Sequence, residues 1–202
     1  IVRVPCREGA VDHDLRRAEI RGDVEFRDVT FRYEEELEPA LADVSFRVKA
    51  GETLGILGRT GSGKSTIMNL LLRIYEAQEG VVLVDGHDVR KLKLSSLRGA
   101  VGYVPQDTFL FSDTIRENIR FGRPSASEDE VREAARIAGV LDEIEEFPEG
   151  FETKLGERGV TLSGGQQQRV AIARALIMDP AIVALDDALS SVDTATEEKI
   201  QQ

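Results

Sequence analysis

A glycine-rich loop around residue 60 has the residue types that bind phosphate. It fits the pattern G-x-x-x-x-G-K-[ST] and has a threonine after it: Gly58, Arg59, Thr60, Gly61, Ser62, Gly63, Lys64, Ser65 and Thr66. The glycines allow the backbone to curl until successive N–H groups point at phosphate oxygens. In this pattern the lysine provides a mobile charge for the β- and γ-phosphates, and the hydroxyl after it provides an oxygen for Mg²⁺.

Such a loop needs a strand before it and a helix after it, and the flanking sequence predicts both. Residues 53–57 are a short apolar run that is typical of a buried strand, and residues 65–75 have helical character. Four apolar residues of the second segment lie on one stripe: Ile67, Leu70, Leu71 and Ile74. The helix would add its positive N-terminal end to the phosphate loop.

A second candidate for chemistry is a carboxylate at the end of an apolar strand. Ile182 to Leu185 is fully apolar and runs into Asp186. A carboxylate in this place can hold the coordination shell of Mg²⁺, usually through water. The alternative is an aspartate that only caps the next turn, because apolar runs ending in aspartate are common. Lys64 in a phosphate loop of the same chain favours the metal site.

The remaining segments alternate between strands and helices. Strands are predicted at 24–33, 41–48, 81–84 and 101–104, a turn at 50–52, and helices at 127–147 and 164–178. Ser127, with Glu130 three residues later, has the pattern of a helix N-cap. This order predicts an α/β fold with a mainly parallel sheet. An antiparallel β region precedes that sheet, and a helical subdomain at about 107–178 interrupts it.

The composition limits the class of protein. Of the 202 residues, 31% are charged and 41% are hydrophobic, as in an ordinary globular domain. The net charge of −11 argues against a nucleic-acid partner, because phosphate backbones require basic patches. No apolar run approaches the roughly 18 residues that cross a bilayer, so we expect any membrane part outside this chain. The single cysteine, Cys6, excludes an internal disulfide and suits a reducing compartment.

A glycine pair opens the helix that is predicted to run to Met178. The residues are Leu162, Ser163, Gly164, Gly165 and Gln166. A serine hydroxyl and glycine N–H groups at a helix N-terminus form an anion site. The pentapeptide resembles the signature motif of the ATP-binding-cassette (ABC) family, and the resemblance extends over the chain from Val24 onward. It implies ATP and Mg²⁺ as ligands and a head-to-tail dimer, in which this segment faces the γ-phosphate held by the other subunit.

The same resemblance assigns roles to Tyr33 and Gln106. Tyr33 looks like the aromatic residue that stacks on adenine, and the alternative is a strand aromatic that faces the core. Gln106 looks like the glutamine that touches Mg²⁺ or the attacking water and senses the membrane domain. The resemblance thus implies three catalytic residues, Lys64, Gln106 and Asp187, and three Mg²⁺ ligands, Ser65, Gln106 and Asp186.

Three further segments resemble parts of the family. Residues 114–119 (TIRENI) are similar to the segment that follows this glutamine in exporters. Glu157-Arg158-Gly159 resembles the exporter X-loop, which is thought to contact the coupling helices of the membrane domain. Residues 190–193 match the D-loop in position. The first two favour an exporter over an importer.

Asp187 departs from the family pattern, in which glutamate usually follows the metal-binding aspartate. Aspartate is one methylene shorter, so its carboxylate falls roughly 1–1.5 Å short, and misplacement of this size can slow a reaction about a hundredfold. The hypothesis is weak hydrolysis at the chain's own site. The alternative is that backbone adjustment restores the reach of the carboxylate.

A good signature beside a poor catalytic carboxylate also resembles one subunit of some heterodimeric exporters. In such a protein this chain would hold ATP in a slow site, and its residues Leu162 to Gln166 would complete the fast site of the partner. Homodimer and heterodimer both remain open from the sequence.

The family's switch histidine lies well beyond this region, and the sequence given ends at Gln202. His13 and His87 lie in the wrong places and are expected at the surface. We therefore expect residues 23–202 to be an ABC ATP-binding domain truncated after the D-loop, without its final strands and poor at hydrolysis as it stands.

Residues 1–22 are expected to link this domain to membrane helices that come first on the same polypeptide. The domain would then lie on the cytoplasmic face of the inner or plasma membrane. Two alternatives stay open: a nucleotide-binding regulatory subunit that does not hydrolyse ATP, and a non-transport ABC ATPase. The second usually carries long coiled coils between loop and signature, whereas residues 67–161 contain no sustained heptads.

Overall fold

The computed structural model describes residues 19–156 and 161–186. The chain divides into two units, one comprising Ile1–Val101 and the other Gly102–Gln202. Within the described residues, none of the helices has the length and apolar character to cross a bilayer.

The first unit contains a four-stranded antiparallel sheet in the order β2-β1-β3-β4. Its strands are β1 (Val24–Phe31), β2 (Leu41–Val48), β3 (Glu79–Val84) and β4 (His87–Asp88). The predicted antiparallel region is therefore confirmed. The register shifts after Phe26, where Asp28 has φ +52°, and this irregularity keeps Val29 on the buried face with Phe26.

Two short helices complete this unit, α1 (Lys64–Leu71) and α2 (Leu94–Gly99). Helix α1 buries Ile67, Leu70 and Leu71, as its apolar stripe predicts. It ends earlier than predicted, because Arg73 takes a left-handed conformation with φ +50°. Ile74, the last residue of the predicted stripe, is consequently exposed.

The strand predicted at residues 53–57 was wrong. This segment has no regular secondary structure, and the Leu57 side chain is 97% exposed. An apolar run becomes a strand only when a neighbouring strand pairs with its N–H and C=O groups. None of the described strands pairs with residues 53–57.

Strands β5 (Val101–Val104) and β6 (Ile182–Leu185) pair, and both have the predicted bounds; apart from Val101, they belong to the second unit. The helices are α3 (Ile115–Arg120), α4 (Glu128–Ile137), α5 (Leu141–Glu145) and α6 (Gly164–Leu176). The single helix predicted at 127–147 is two, because Gly139 has φ +69° between them. Helices α3, α4 and α6 share one core that includes Ile119, Val131 and Ile172.

Candidate nucleotide-binding site

The phosphate loop lies between β2 and α1 and is shaped by its glycines. Gly63 caps α1 with φ +91°, and a Cβ atom there would lie 2.5 Å from the Ala40 carbonyl oxygen. A Cβ atom on Gly58 would lie 2.4 Å from Ser62 Oγ. A side chain at Gly63 would therefore collide with the backbone before the loop, whereas one at Gly58 would displace the Ser62 side chain.

Lys64 lies across this loop. Its Nζ donates hydrogen bonds to the carbonyl oxygens of Gly58, at 2.8 Å, and Arg59, at 3.1 Å. A turn between Ser62 N and Arg59 O, 3.1 Å apart, closes the loop beneath it. The loop residues are otherwise open to solvent: Arg59, Thr60, Gly61, Ser62 and Ser65 are exposed, whereas Gly63 and Thr66 are buried. One positive charge is thus held at an accessible loop.

Tyr33 lies beyond the end of β1 and does not face the core, since 49% of its surface is exposed. Its hydroxyl is 3.0 Å from Thr66 Oγ1, on the first turn of α1. Its ring makes edge contacts with Phe31 and Tyr75, with centroids 4.9 and 5.2 Å away. Tyr33 therefore stands beside the phosphate loop with much of its ring accessible, and its stacking on adenine remains a prediction.

Asp186 follows β6 in the second unit and is 8% exposed. Its N–H donates to the Val104 carbonyl oxygen at 2.9 Å, so β5 and β6 end side by side, as parallel neighbours do. Gln106, two residues beyond β5, is exposed near this same edge. Residues that follow adjacent strand ends are well placed for a ligand site.

Tyr103, which lies on β5 beside this carboxylate, was not predicted from the sequence. Its hydroxyl donates a hydrogen bond to the Asp186 carboxylate. Burial, and then the negative charge of Asp186, raise the pKa of Tyr103 above its ordinary value. The phenol therefore remains a donor at neutral pH and helps to fix the carboxylate.

The signature residues form the N-terminus of α6. Ser163 is the N-cap: its Oγ accepts from Gln166 N at 3.3 Å, and Gln166 Oε1 accepts from Ser163 N at 2.9 Å. This is a capping box. Leu162 is buried, while Ser163 and Gly164 are exposed and Gly165 is half-buried. Because Ser163 Oγ only accepts within the cap, its O–H remains able to donate to an anion.

Several predicted residues lie outside the described part of the chain. They are Cys6, His13, residues 157–159, Asp187 and residues 190–193. The phosphate loop and Tyr33 belong to the first unit, and Gln106, the signature and Asp186 belong to the second.

Comparison with known proteins decides the family. A family model described as ABC transporter matches residues 41–190, which is most of the chain. The chain belongs to the ABC transporter family. It is an ATP-binding domain of that family, so ATP is its ligand.

Similar proteins are much longer than this chain. The chain is 50% identical over 181 residues to human "ATP-binding cassette sub-family B member 6", covering 90% of this chain and 21% of that protein. It is 49% identical over 188 residues to the Bacillus subtilis (strain 168) "Uncharacterized ABC transporter ATP-binding protein YknV", covering 93% and 31%. A solved structure, of a bacterial Atm1-family ABC exporter with ATP bound, matches with TM-score 0.82 and 48% identity, covering 89% and 32%. The chain thus spans a third or less of the length of these relatives.

The residues that the sequence predicted as Mg²⁺ ligands have suitable chemistry. Ser65 offers an exposed hydroxyl, Gln106 an exposed amide and Asp186 a carboxylate. Hard divalent cations prefer such oxygen donors. The close backbone at Gly63, which leaves no room for a side chain, is likewise what a phosphate cradle requires.

The sequence also gave no signal for Arg174 of α6. Its guanidinium donates to the carbonyl oxygens of Phe109 and Asn118, both at 2.8 Å, and to Asn118 Oδ1 at 2.9 Å. It also lies over the rings of Phe111 and Phe121, at 5.4 and 5.9 Å. Arg174 thereby ties α6 to the segment before α3 and to α3 itself, which was noted only as part of residues 114–119 for their resemblance to exporters.

Proposed function

We propose that this chain is the ATP-binding motor domain of an ABC exporter, in which ATP–Mg²⁺ drives head-to-tail pairing of two such domains. The phosphate loop carries this proposal. Its accessible, glycine-shaped backbone and the Lys64 charge held across it form a site for the β- and γ-phosphates. Tyr33, half-exposed beside the same loop, would stack on adenine.

Mg²⁺, when bound, would neutralise charge on the phosphates. Ser65, Asp186 and Gln106 would hold it. The hydrogen bond from Tyr103 would keep the Asp186 carboxylate oriented toward this role. When phosphate binds, the Lys64 ammonium group would donate to the phosphate oxygens. It would do so either by giving up some of its hydrogen bonds to the Gly58 and Arg59 carbonyl oxygens or by sharing its protons between them and the phosphate.

The signature would serve a second subunit. Ser163 Oγ accepts from Gln166 N and keeps its own proton for donation, and the first N–H groups of α6 have no partner within the helix. Together with the positive end of a 13-residue helix, these donors suit the γ-phosphate bound by the other domain. The partner is thus a second ABC ATP-binding domain, identical or different.

Asp187 would make hydrolysis slow at the chain's own site, since its shorter side chain holds the carboxylate farther from the attacking water. In a heterodimer this chain would then retain ATP while its signature completes a faster site on the partner. The relatives named above suggest membrane helices on the same polypeptide, with this domain on the cytoplasmic side where ATP is available.

The decisive experiment measures ATP turnover of the full-length protein with Asp187 unchanged, Asp187→Glu and Asp187→Asn, each alone and mixed with a candidate partner. We expect Asp187→Glu to raise turnover of the protein alone by about tenfold to a hundredfold. The Asp187→Asn variant is the matched control, because it keeps the side-chain length and removes the charge.

Normal turnover of the unmodified protein, with no gain from Asp187→Glu, would refute the slow site. A protein that binds ATP but shows no turnover with any partner, even as Asp187→Glu, would be a nucleotide-binding regulator instead of a motor.

A further inference from the structure

Three aromatic rings meet beside the phosphate loop. Tyr33 and Phe31 lie at 84° to each other with centroids 4.9 Å apart, and Tyr33 and Tyr75 lie at 88° with centroids 5.2 Å apart. Tyr75 and Phe31 close the cluster at 5.5 Å. Both neighbours therefore meet Tyr33 edge-to-face, a favourable geometry for aromatic pairs.

Tyr75 is itself fixed by the backbone that follows α1. The N–H groups of Ile74 and Tyr75 both donate to the Asn69 carbonyl oxygen, at 2.8 and 3.4 Å. The left-handed residue Arg73 reverses the chain at this point. Tyr75 thus comes from the same segment that begins with Lys64, and its ring position is tied to the phosphate loop through α1.

We infer that Tyr75 is a positioning residue for the adenine subsite: it holds the Tyr33 ring at a fixed place relative to the phosphate loop. The Tyr33 hydroxyl, 3.0 Å from Thr66 Oγ1, provides the third point of fixation. This inference rests on the proposed stacking of Tyr33 on adenine.

The physical reason is the entropy of binding. A half-exposed aromatic side chain that is free to change rotamer must be ordered when a base stacks on it, and this ordering weakens binding. In this chain two rings and one hydroxyl have already ordered Tyr33. Tyr75 need not touch the nucleotide to strengthen its binding.

The test compares ATP with inorganic triphosphate, which has the phosphates but no base, both titrated onto the purified protein in EDTA to prevent hydrolysis. Tyr75→Leu keeps an apolar side chain but removes the ring. We expect it to weaken the binding of ATP about three- to tenfold and to leave the binding of triphosphate nearly unchanged. Tyr75→Phe keeps the ring and should bind both like the unmodified protein.

Two controls separate positioning from a general loss of structure. Phe46→Leu removes another ring of the same sheet, one that stacks on Phe26 at 4.7 Å, and should leave the ratio of the two affinities unchanged. In a Tyr33→Ala background, Tyr75→Leu should have no further effect on ATP, because no ring remains to be positioned.

The outcomes distinguish the inference from the proposal beneath it. If Tyr33→Ala does not weaken the binding of ATP relative to that of triphosphate, the proposed adenine contact is wrong. The proposed role of Tyr75 is then wrong as well. If Tyr33→Ala weakens ATP selectively but Tyr75→Leu weakens neither ligand, or both equally, only the positioning role is overturned.

Discussion

Two glycines of the phosphate loop share a left-handed conformation but differ in their surroundings. Gly63 has φ +91° and lies against the Ala40 carbonyl oxygen, whereas Gly61 has φ +82° and open space around it. Gly61→Ala should therefore cost only the conformational strain, on the order of 1–2 kcal/mol. Gly63→Ala adds a collision with backbone and should cost about 1–3 kcal/mol more. Thermal unfolding of the two variants checks this difference, and equal losses would contradict it.

At the residue scale, the sequence predicted those side chains whose pattern is local. The loop from Gly58 to Thr66 and the start of α6 at the signature residues follow from patterns of a few residues. Tyr103 and Arg174 were missed, because their partners are far away in sequence: Arg174 binds Asn118 and Phe109 from 56 and 65 residues away. Such contacts exist only once the elements have packed.

At the scale of elements, Arg174 links α6 to α3 and to the chain before it. Arg174→Ala would leave the carbonyl oxygens of Phe109 and Asn118 without their donor and remove the cation from two aromatic rings. We expect a loss of about 2–4 kcal/mol in the free energy of unfolding. Urea unfolding followed by circular dichroism measures it.

The control for this change is Arg136→Ala on α4, where the arginine is exposed and, among the described residues, pairs with Glu133 three residues away. It should cost less than about 0.5 kcal/mol. Similar effects of the two substitutions would show that Arg174 contributes nothing beyond a surface charge.

The contribution of the turn after β4 to stability should depend on pH. Burial alone would raise the pKa of Asp88, but hydrogen bonds from the Arg90 side chain and backbone, with the Arg90 charge, lower it below 3.8 overall. A depressed folded-state pKa contributes stability above the unfolded value and loses it as pH falls below about 4. Asp88→Asn can still cap the turn, so it removes only the titrating charge.

We expect the unmodified protein to be more stable than Asp88→Asn at pH 7 by less than about 1 kcal/mol, because solvent screens this pair. The difference should shrink as pH falls below about 4 toward the lowered folded-state pKa of Asp88. Thermal unfolding of both proteins between pH 3 and 7 tests this, and parallel curves over that range would rule it out.

Element boundaries followed from sequence where a local signal set them. Ser127 and Glu130 form the predicted capping box of α4, and β5 and β6 have the predicted bounds. The helices α2 and α3 were missed, since six residues are too few for a periodic pattern and such helices depend on tertiary contacts. The strand at 53–57 was wrong for the related reason that pairing is not local.

At the scale of the whole molecule, alternation of strands and helices was enough to predict an α/β fold with an antiparallel region. It did not predict the division between Val101 and Gly102, which places the loop and the signature in different units. The order of the motifs along the chain indicates the function more directly than the geometry does. Each motif consists of a few neighbouring residues, whereas a complete site needs several motifs together.

The proposed head-to-tail pairing predicts complementation between two inactive chains. Lys64→Ala removes the positive charge that would bind the phosphates, and Ser163→Arg blocks the anion site at the start of α6. In either variant alone, both composite sites of a homodimer contain one lesion. In a mixed dimer one site contains both lesions and the other contains none.

Coexpressed chains with different affinity tags, purified on both tags, should therefore retain more ATP after desalting in EDTA than either variant alone. The control carries both substitutions on one chain and is paired with an unmodified chain. It leaves one lesion in each site, so it should retain no more ATP than the single variants. Greater retention by this control than by the mixed dimer would mean that each chain completes its own site, because the unmodified chain would then contain an intact site.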